Sequence, residues 1–388
     1  MKILFDSQIF DSQKYGGISR YFAELFNNFN ESDKIDYYLY IRNTNNEYLK
    51  NTYPFSLSVL SNDKIYPRFI LNLNPLFKKI ATIFFDFVDN HSNFNLSKKA
   101  LKKQDFDIFH PTYYSTYFLK YLKNKKLIVT VYDMIHEIYP EYFLLDHGMT
   151  AKKKKKLILR ADQIIAISES TKNDIIKFYG ISQDKISVVY LGNSLKKSNN
   201  VDLDFGSIPD KYILFVGARN IYKNFIFFIE SVATMLNKDQ NLNIIVAGGY
   251  SGKNIFSEEE KNLFSKLNIK NQILYFSVDD NSLAYLYQNA ICFVFPTLYE
   301  GFGIPVLEAF ACDCPAIISN TSSLPEVGGD AVKYFDPTNS DSILRAVNGV
   351  VYNDTLRNDL ILKGRDQLNK FSWKKTAEET IKIYLDNK

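Results

Sequence analysis

The sequence predicts an α/β protein built from two doubly wound domains that face each other across a cleft. Three observations carry this. The chain has 388 residues, more than one hydrophobic core usually serves. Short apolar, β-rich runs alternate with polar, helix-compatible stretches, which is the pattern of a parallel sheet covered on both faces. That alternation halts at a polar segment and then starts again.

In chain order, "MKILFDSQIF" reads as a buried strand, followed by a turn at "KYGGIS" and a helix at "RYFAELFNNF" with apolar residues at helical spacing. "YYLYI", "FDIFHP", "KLIVTVYD" and "QIIAIS" read as further strands. The polar stretch over 192–211 is the expected linker, after which "YILFVGA", "LNIIVAGG", "QILYFS", "ICFVFP" and "PAIISN" build a second sheet. The expected units are an N-terminal domain over 1–195, a C-terminal domain over 208–371 and an amphipathic helix over 372–388 able to cover either one.

With 46% hydrophobic and 23% charged residues, the composition is that of a globular protein and excludes a disordered chain. Cys292, Cys312 and Cys314 make no even disulfide framework and no zinc set, which fits a reducing compartment. Asp6 interrupts what would be the apolar core of a signal peptide, and no window offers the ~18 uncharged apolar residues of a membrane span. A cytoplasmic protein is expected. The net charge of +4 hides an asymmetry: residues 1–200 carry 29 Lys and Arg against 20 Asp and Glu, and residues 201–388 carry 18 against 23. The cationic half is expected to face a phosphate-bearing substrate or an acidic membrane surface, with solvated lysines as the plainer reading, and no nucleic-acid partner is expected.

The stretch "YEGFGIPVLEAF" carries the most chemistry. A helix does not run through Gly301, Gly303 and Pro305, whereas Pro305 fits a first turn and "VLEAFA" propagates it. Glu300 therefore belongs to the loop after "ICFVFP", and Glu308 to the helix that follows. The glycines let backbone N–H groups approach an anion at a helix N-terminus. Glu308 is placed to accept hydrogen bonds from the vicinal hydroxyls of a ribose, the alternative being a local Lys partner. In "FVGARNIYKN", Arg219 and Lys223 follow a strand end, where two cations suit a diphosphate. Gly16 and Gly17 open the first helix, with Arg20 one turn in, a second place for an anion or sugar. Asp133, just past the strand "KLIVTVYD", is a candidate to bind sugar hydroxyls or take a proton, ahead of His110 and His136.

Other patterns weigh less. Asp105 to Asp107 mimics a metal-binding pair of acids but precedes a strand, and "GGYSGK" lacks the spacing and the Ser or Thr of a P-loop. Lys152 to Lys156 reads as a solvated helix face that could touch acidic headgroups. Residues 67–90 read as a core helix or as a surface-lying amphipathic segment.

"EGFGIPVLEA", with "VGARNIYKN" before it and "SSLPEVGGDAVKYFDP" after it, resembles the donor-binding domain of the family 4 retaining glycosyltransferases, including their E-x7-E motif. "QKYGGISRYF", "FHPTYYS" and "VTVYDMIHEIYPE" resemble the N-terminal domain of their bacterial polysaccharide mannosyltransferase-like branch. The resemblance implies a GT-B fold of two Rossmann-like domains, with the final helix returning to the first. By position it puts Arg219 and Lys223 on the donor diphosphate, Glu308 on the ribose, and Glu300 with the backbone of Gly301, Phe302, Gly303 and Ile304 on the donor sugar. Gly16 and Gly17 would border phosphate and acceptor, and Asp133 would contact the transferred sugar. Neither metal nor cofactor is implied. Tyr132 stands where the family often has His, and Tyr222 where it often has Arg.

The expected activity is retaining transfer of a hexose from a nucleotide-diphosphate sugar, GDP-mannose in this branch, to a hydroxyl of a growing bacterial glycan. The acceptor would be polyprenyl-diphosphate-linked and met at the acidic inner-membrane face. A UDP- or dTDP-sugar donor, a sugar-nucleotide epimerase of the same architecture and a non-catalytic binding subunit are the alternatives.

Overall fold

The structure, a computed structural model, describes residues 1–50, 52, 92–198, 208–248 and 256–388. The 67–90 segment, and "GGYSGK" beyond Gly248, lie outside the described residues.

Among the described residues, twelve strands form two six-stranded sheets. The first contains β1 (Lys2–Phe5), β2 (Asp36–Leu39), β3 (Ile108–His110), β4 (Lys126–Val131), β5 (Gln163–Ala166) and β6 (Ile186–Val188), in the order β2-β1-β3-β4-β5-β6. The second contains β7 (Tyr212–Val216), β8 (Asn243–Ala247), β9 (Ile273–Phe276), β10 (Cys292–Phe295), β11 (Ala316–Ser319) and β12 (Val332–Phe335), in the order β12-β11-β10-β7-β8-β9. The pairings are parallel, with Phe5 opposite His110 and Val216 opposite Ala247. Helices cover both faces, so central strands such as β7 are buried throughout and read as unbroken apolar runs. This is the GT-B arrangement of two doubly wound sheets.

In each sheet the strand order reverses once, between β1 and β3 and between β7 and β10. A crevice opens beyond the carboxyl ends of strands at such a reversal, which is where ligands sit in open α/β sheets. The segments that follow β1, β7 and β10 therefore face the cleft, and they carry Gly16 (beyond the short Gln8–Ser12 helix), Lys223 and Glu300.

The strand read into "MKILFDSQIF" is shorter than expected. It ends at Phe5, and Gln8–Ser12 is a helix. Asp6, fully buried, makes the break. Its carboxylate accepts hydrogen bonds from Thr112 N at 2.9 Å, Tyr117 Oη at 3.1 Å and Gln8 Nε2 at 2.5 Å, which turns the chain at the carboxyl end of β1. Strands β6 and β12, both at sheet edges, escaped the sequence reading: β6 has three residues, and in β12 the exposed Lys333 interrupts the apolar run.

The Trp373–Asp386 helix lies on the first domain, against the Gly17–Phe29 helix. Trp373 Nε1 donates to Ser194 Oγ at 2.8 Å and Thr376 Oγ1 to Tyr190 O at 2.7 Å. Deeper in, Tyr384 Oη meets His110 Nδ1 at 2.7 Å while His110 Nε2 meets Thr130 Oγ1 at 2.9 Å. Both ring nitrogens are used inside the core, so His110 is a packing residue and not a catalytic one.

Burial pushes the His110 pKa from 6.5 down to about 3. The folded protein holds the neutral ring while the unfolded chain takes a proton below pH 6.5. Stability from this residue is thus complete above pH 6.5 and is lost as the pH falls toward 3, at up to about 1.4 kcal/mol per pH unit. Urea unfolding of His110→Gln should show a shallower decline below pH 6.5 than the parent protein; parallel declines would refute the assignment.

Candidate active site

The cleft holds a cavity of about 750 Å³ whose walls come from both domains. From the first domain it receives Gly16, Gly17, Arg20, Tyr132 and Asp133. From the second it receives Gly217, Lys223, Glu300, the Gly301–Ile304 backbone and Glu308.

The two carboxylates of "YEGFGIPVLEAF" separate as their spacing predicts. Glu300 lies on the loop after β10, and Glu308 lies in the Ile304–Ala311 helix, which starts at Gly303 with Pro305 in its first turn. Ser323 Oγ donates to the carbonyls of Glu300 and Phe302 at 2.9 and 2.8 Å, and Glu300 N donates to Ser322 Oγ at 2.9 Å, so the loop is tied down from the stretch after β11. Gly303 has φ +117°, a conformation costly for any side chain. Gly301 answers a different need: a Cβ there would come within 1.7 Å of Tyr132 O. The two domains touch backbone to backbone at this point.

Lys223 Nζ donates to Glu300 Oε1 at 2.5 Å, and both side chains are 15% exposed. The lysine sits where it does because the Tyr222 carbonyl accepts from Leu298 N at 2.8 Å and Thr297 Oγ1 at 3.1 Å, which couples the β7 loop to the β10 loop. Burial works against the Lys223 charge, but Glu300 together with Tyr222 and Asp133 outweighs it and holds the ammonium pKa above its usual value.

Arg20 crosses the cleft. Its Nη2 donates to both Asp280 oxygens at 2.7 and 2.8 Å and to Tyr48 Oη at 2.8 Å, and its Nη1 reaches Glu308 Oε1 at 3.4 Å. The other Glu308 oxygen accepts from Tyr287 Oη at 3.3 Å. Burial raises the Glu308 pKa, with Arg20 opposing.

The structure does not bring Arg219 to this cavity. Its guanidinium is paired with Glu260 at 2.6 Å and lies over the rings of Phe256 and Tyr275, in a neighbouring cavity of about 570 Å³. Glu260 also closes the capping box of the Glu258–Lys266 helix, so a carboxylate fixed for structural reasons claims the arginine. Of the two cations expected on a diphosphate, Lys223 alone reaches the cleft.

Two family models cover most of the chain: Glycosyltransferase Family 4 over residues 15–196 and Glycosyl transferases group 1 over residues 206–367. The chain belongs to the family 4 glycosyltransferases. It is 28% identical over 295 residues to O-antigen chain mannosyltransferase B of Escherichia coli, covering 74% of this chain and 76% of that one. It is 27% identical over 241 residues to O-antigen chain mannosyltransferase RfbU of Salmonella typhimurium, covering 58% of this chain and 65% of that one. The sucrose-phosphate synthase of Thermosynechococcus elongatus superposes with a TM-score of 0.71 at 16% identity over 99% of this chain and 98% of that one. WaaG, a glycosyltransferase involved in lipopolysaccharide biosynthesis, superposes with a TM-score of 0.65 at 13% identity over 99% of each chain. These structural likenesses speak for the fold alone.

In this glycosyltransferase the sequence reading missed Asp280, the chief partner of Arg20, and one buried lysine. Lys154, the middle of the "KKKKK" run, is fully buried while Lys152, Lys153, Lys155 and Lys156 are exposed. Its Nζ donates to Asp133 O at 2.8 Å and pairs with Glu137 Oε2 at 2.8 Å and Asp133 Oδ1 at 3.7 Å. Lys154 shares its helix face with Leu157 and Ile158, the one signal in the sequence that it points inward. His136, beside it, has its ring against Phe143, tilted by 31° with centroids 4.1 Å apart.

Two outcomes follow for these glycosyltransferase residues. Gly301→Ala should force the domains apart at Tyr132 and lower transfer about 100-fold or more, as misplacement by about 1 Å can; steady-state rates within a few-fold of the parent would refute the contact. Lys154→Met leaves the buried Glu137 carboxylate with the Tyr179 hydroxyl at 2.7 Å but without its cation and should cost about 3 kcal/mol in urea unfolding, whereas Lys153→Met should cost close to nothing.

Proposed function

We propose that this glycosyltransferase moves a hexose from a nucleotide-diphosphate sugar to a hydroxyl of a growing bacterial glycan with retention at the anomeric carbon, and that GDP-mannose is its donor. The observation that carries the reading is the meeting of Lys223, Glu300 and Glu308 around the helix N-terminus at Gly303, opposite Gly16, Gly17 and Asp133. Lys223 and the backbone N–H groups at that N-terminus would bind the diphosphate, Glu308 the ribose, and Glu300 with Asp133 the sugar. The mannosyltransferase relatives favour mannose over other hexoses.

The reaction breaks the bond from the anomeric carbon to the diphosphate oxygen and forms one to the acceptor oxygen on the same face. The acceptor's proton passes to the departing phosphate oxygen. Negative charge grows on that oxygen in the transition state, where Lys223 and the helix N-terminus stabilise it. On this reading the diphosphate needs no divalent metal, and a chelator leaves turnover unchanged. The acceptor would be linked to a polyprenyl diphosphate, met from the cytoplasmic face of the inner membrane in peripheral contact with acidic lipids, a setting that the cationic first half supports. A Campylobacter jejuni relative, 26% identical over 231 residues, carries a name that specifies a diphospho-undecaprenol acceptor.

Incubation with GDP-, UDP- and dTDP-sugars tests the donor: turnover of GDP-mannose is expected, and preference for a UDP-sugar would overturn that choice. Lys223→Ala should reduce kcat by at least about 100-fold through lost stabilisation of the departing diphosphate. Arg219→Ala should leave kcat within a few-fold. The reverse pattern would return the diphosphate to Arg219, and a covalent sugar trapped on Glu300 or Asp133 would replace the same-face route.

A further inference from the structure

We propose that the Pro140–Asp146 turn and the outer face of the Met149–Arg160 helix form a docking surface for an anionic lipid bilayer, placed beside the mouth of the cleft. The proposal rests on the acidic-lipid contact of the reading above for its use and locates that contact from exposure and charge, so a failure of vesicle binding leaves the transfer reaction in the cleft to its own test.

The turn projects apolar side chains into solvent. Leu144 is 73% exposed and Leu145 95%, and Met149, at the start of the helix, is 51% exposed. Adjacent leucines held out this far gain nothing for the fold of this domain. The helix that follows turns Lys154, Leu157 and Ile158 inward and leaves Lys152, Lys153, Lys155 and Lys156 outside, with Leu159 also 53% exposed. Apolar tips bordered by a lysine face are the composition of a segment lying at a bilayer interface, where the lysine stems cover acyl surface and the ammonium groups reach phosphate.

The acids nearby do little to cancel this charge. Asp146 is spent on the helix start, accepting from Thr150 N at 2.8 Å and Thr150 Oγ1 at 3.1 Å, and Asp162 is paired with Arg160 at 3.5 Å and Lys126 at 3.8 Å. Glu137 lies under the helix on Lys154, which leaves Glu141 as the exposed acid of the turn. A protein partner is the poorer fit, since four apolar side chains fall far short of the roughly 800 Å² a side that a stable interface needs.

Position gives the surface its use. Phe143, within the same turn, lies against His136 with ring centroids 4.1 Å apart, and its centroid is 6.4 Å from that of Tyr222, the residue before Lys223. A bilayer met by Leu144 and Leu145 thus lies at the edge of the cleft, where a lipid-borne hydroxyl would enter without leaving the membrane.

Sedimentation of the full chain with vesicles tests this. Binding is expected to equimolar phosphatidylcholine and phosphatidylglycerol at low salt, not to phosphatidylcholine alone, with steep weakening as salt rises. The double variant Lys152→Gln with Lys156→Gln should lower partitioning about 25-fold, near fivefold for each cation. Leu144→Ser with Leu145→Ser should also lower it with every lysine intact. Thermal melts matching the parent protein show that each variant is folded, whatever reaction the cleft performs. Failure of the parent protein to bind the anionic vesicles overturns the proposal. So does parent-like binding by either double variant: unchanged binding after the leucine changes means loose counterion attraction, and unchanged binding after the lysine changes means contact elsewhere on the chain.

Discussion

The partnering of the buried Arg20 guanidinium across the cleft, with a half-exposed Asp280 and a buried Glu308, sets the terms for the rest of the molecule. A guanidinium with 8% of its side chain exposed must be fully partnered, because an uncompensated buried charge costs several kcal/mol. Arg20 meets that demand chiefly through Asp280, with both oxygens inside 2.8 Å, and only weakly through Glu308 at 3.4 Å. Glu308, equally buried, receives two long contacts, one from each domain. Burial raises its pKa because these contacts fall short of what a carboxylate finds in water. The cleft therefore contains one carboxylate well satisfied by Arg20 and another held in a dry place with capacity to spare, a suitable position for a diol that brings two short hydrogen bonds.

Closure of the domains around this pair depends on polar contacts that have to register together. Glu326 of the second domain accepts from the N–H groups of Glu169 and Ser170, both at 2.7 Å, at the start of a first-domain helix, where the helix dipole favours a negative charge. Tyr299 Oη donates to Asp174 at 2.8 Å and accepts from Met134 N at 3.2 Å. Both contacts flank the point where Gly301 meets Tyr132 O. A side chain at 301 would push on all of them at once, which ties the glycine of the loop after β10 to the relative position of the two domains.

Much of this architecture was legible in the sequence, for a physical reason. Central parallel strands are covered on both faces, so β4, β5, β7, β8, β10 and β11 had to be continuous apolar runs. Glu300 and Glu308 separated on paper because glycine and proline forbid one helix through both. What stayed hidden depends on partners distant in sequence. Nothing near Arg219 announces that Glu260, 41 residues on, will take it, and Asp6 breaks the first strand through Thr112, 106 residues away. Lys154 was concealed differently: four lysines around it have the same identity and the opposite environment, and helical phase alone tells them apart.

The charge pattern of the cleft also bears on how a donor would be received. Lys223 pairs with Glu300 at 2.5 Å, and Lys154 pairs with Glu137 while holding the Asp133 backbone. Each cation near the cavity is thus neutralised by a carboxylate of the protein, which spares the resting fold from buried, unbalanced positive charge. A diphosphate arriving at Lys223 competes with Glu300 for one ammonium, and its two phosphates together with the N–H groups at the Gly303 helix start give it the advantage of several contacts over one. Glu300, displaced from the lysine but fixed by its loop, then turns its oxygens to whatever lies next to the diphosphate, which in a nucleotide sugar is the hexose. On the proposed reading a single exchange of partners at Lys223 both anchors the leaving group and releases the carboxylate that reads the sugar, so donor binding itself assembles this side of the site.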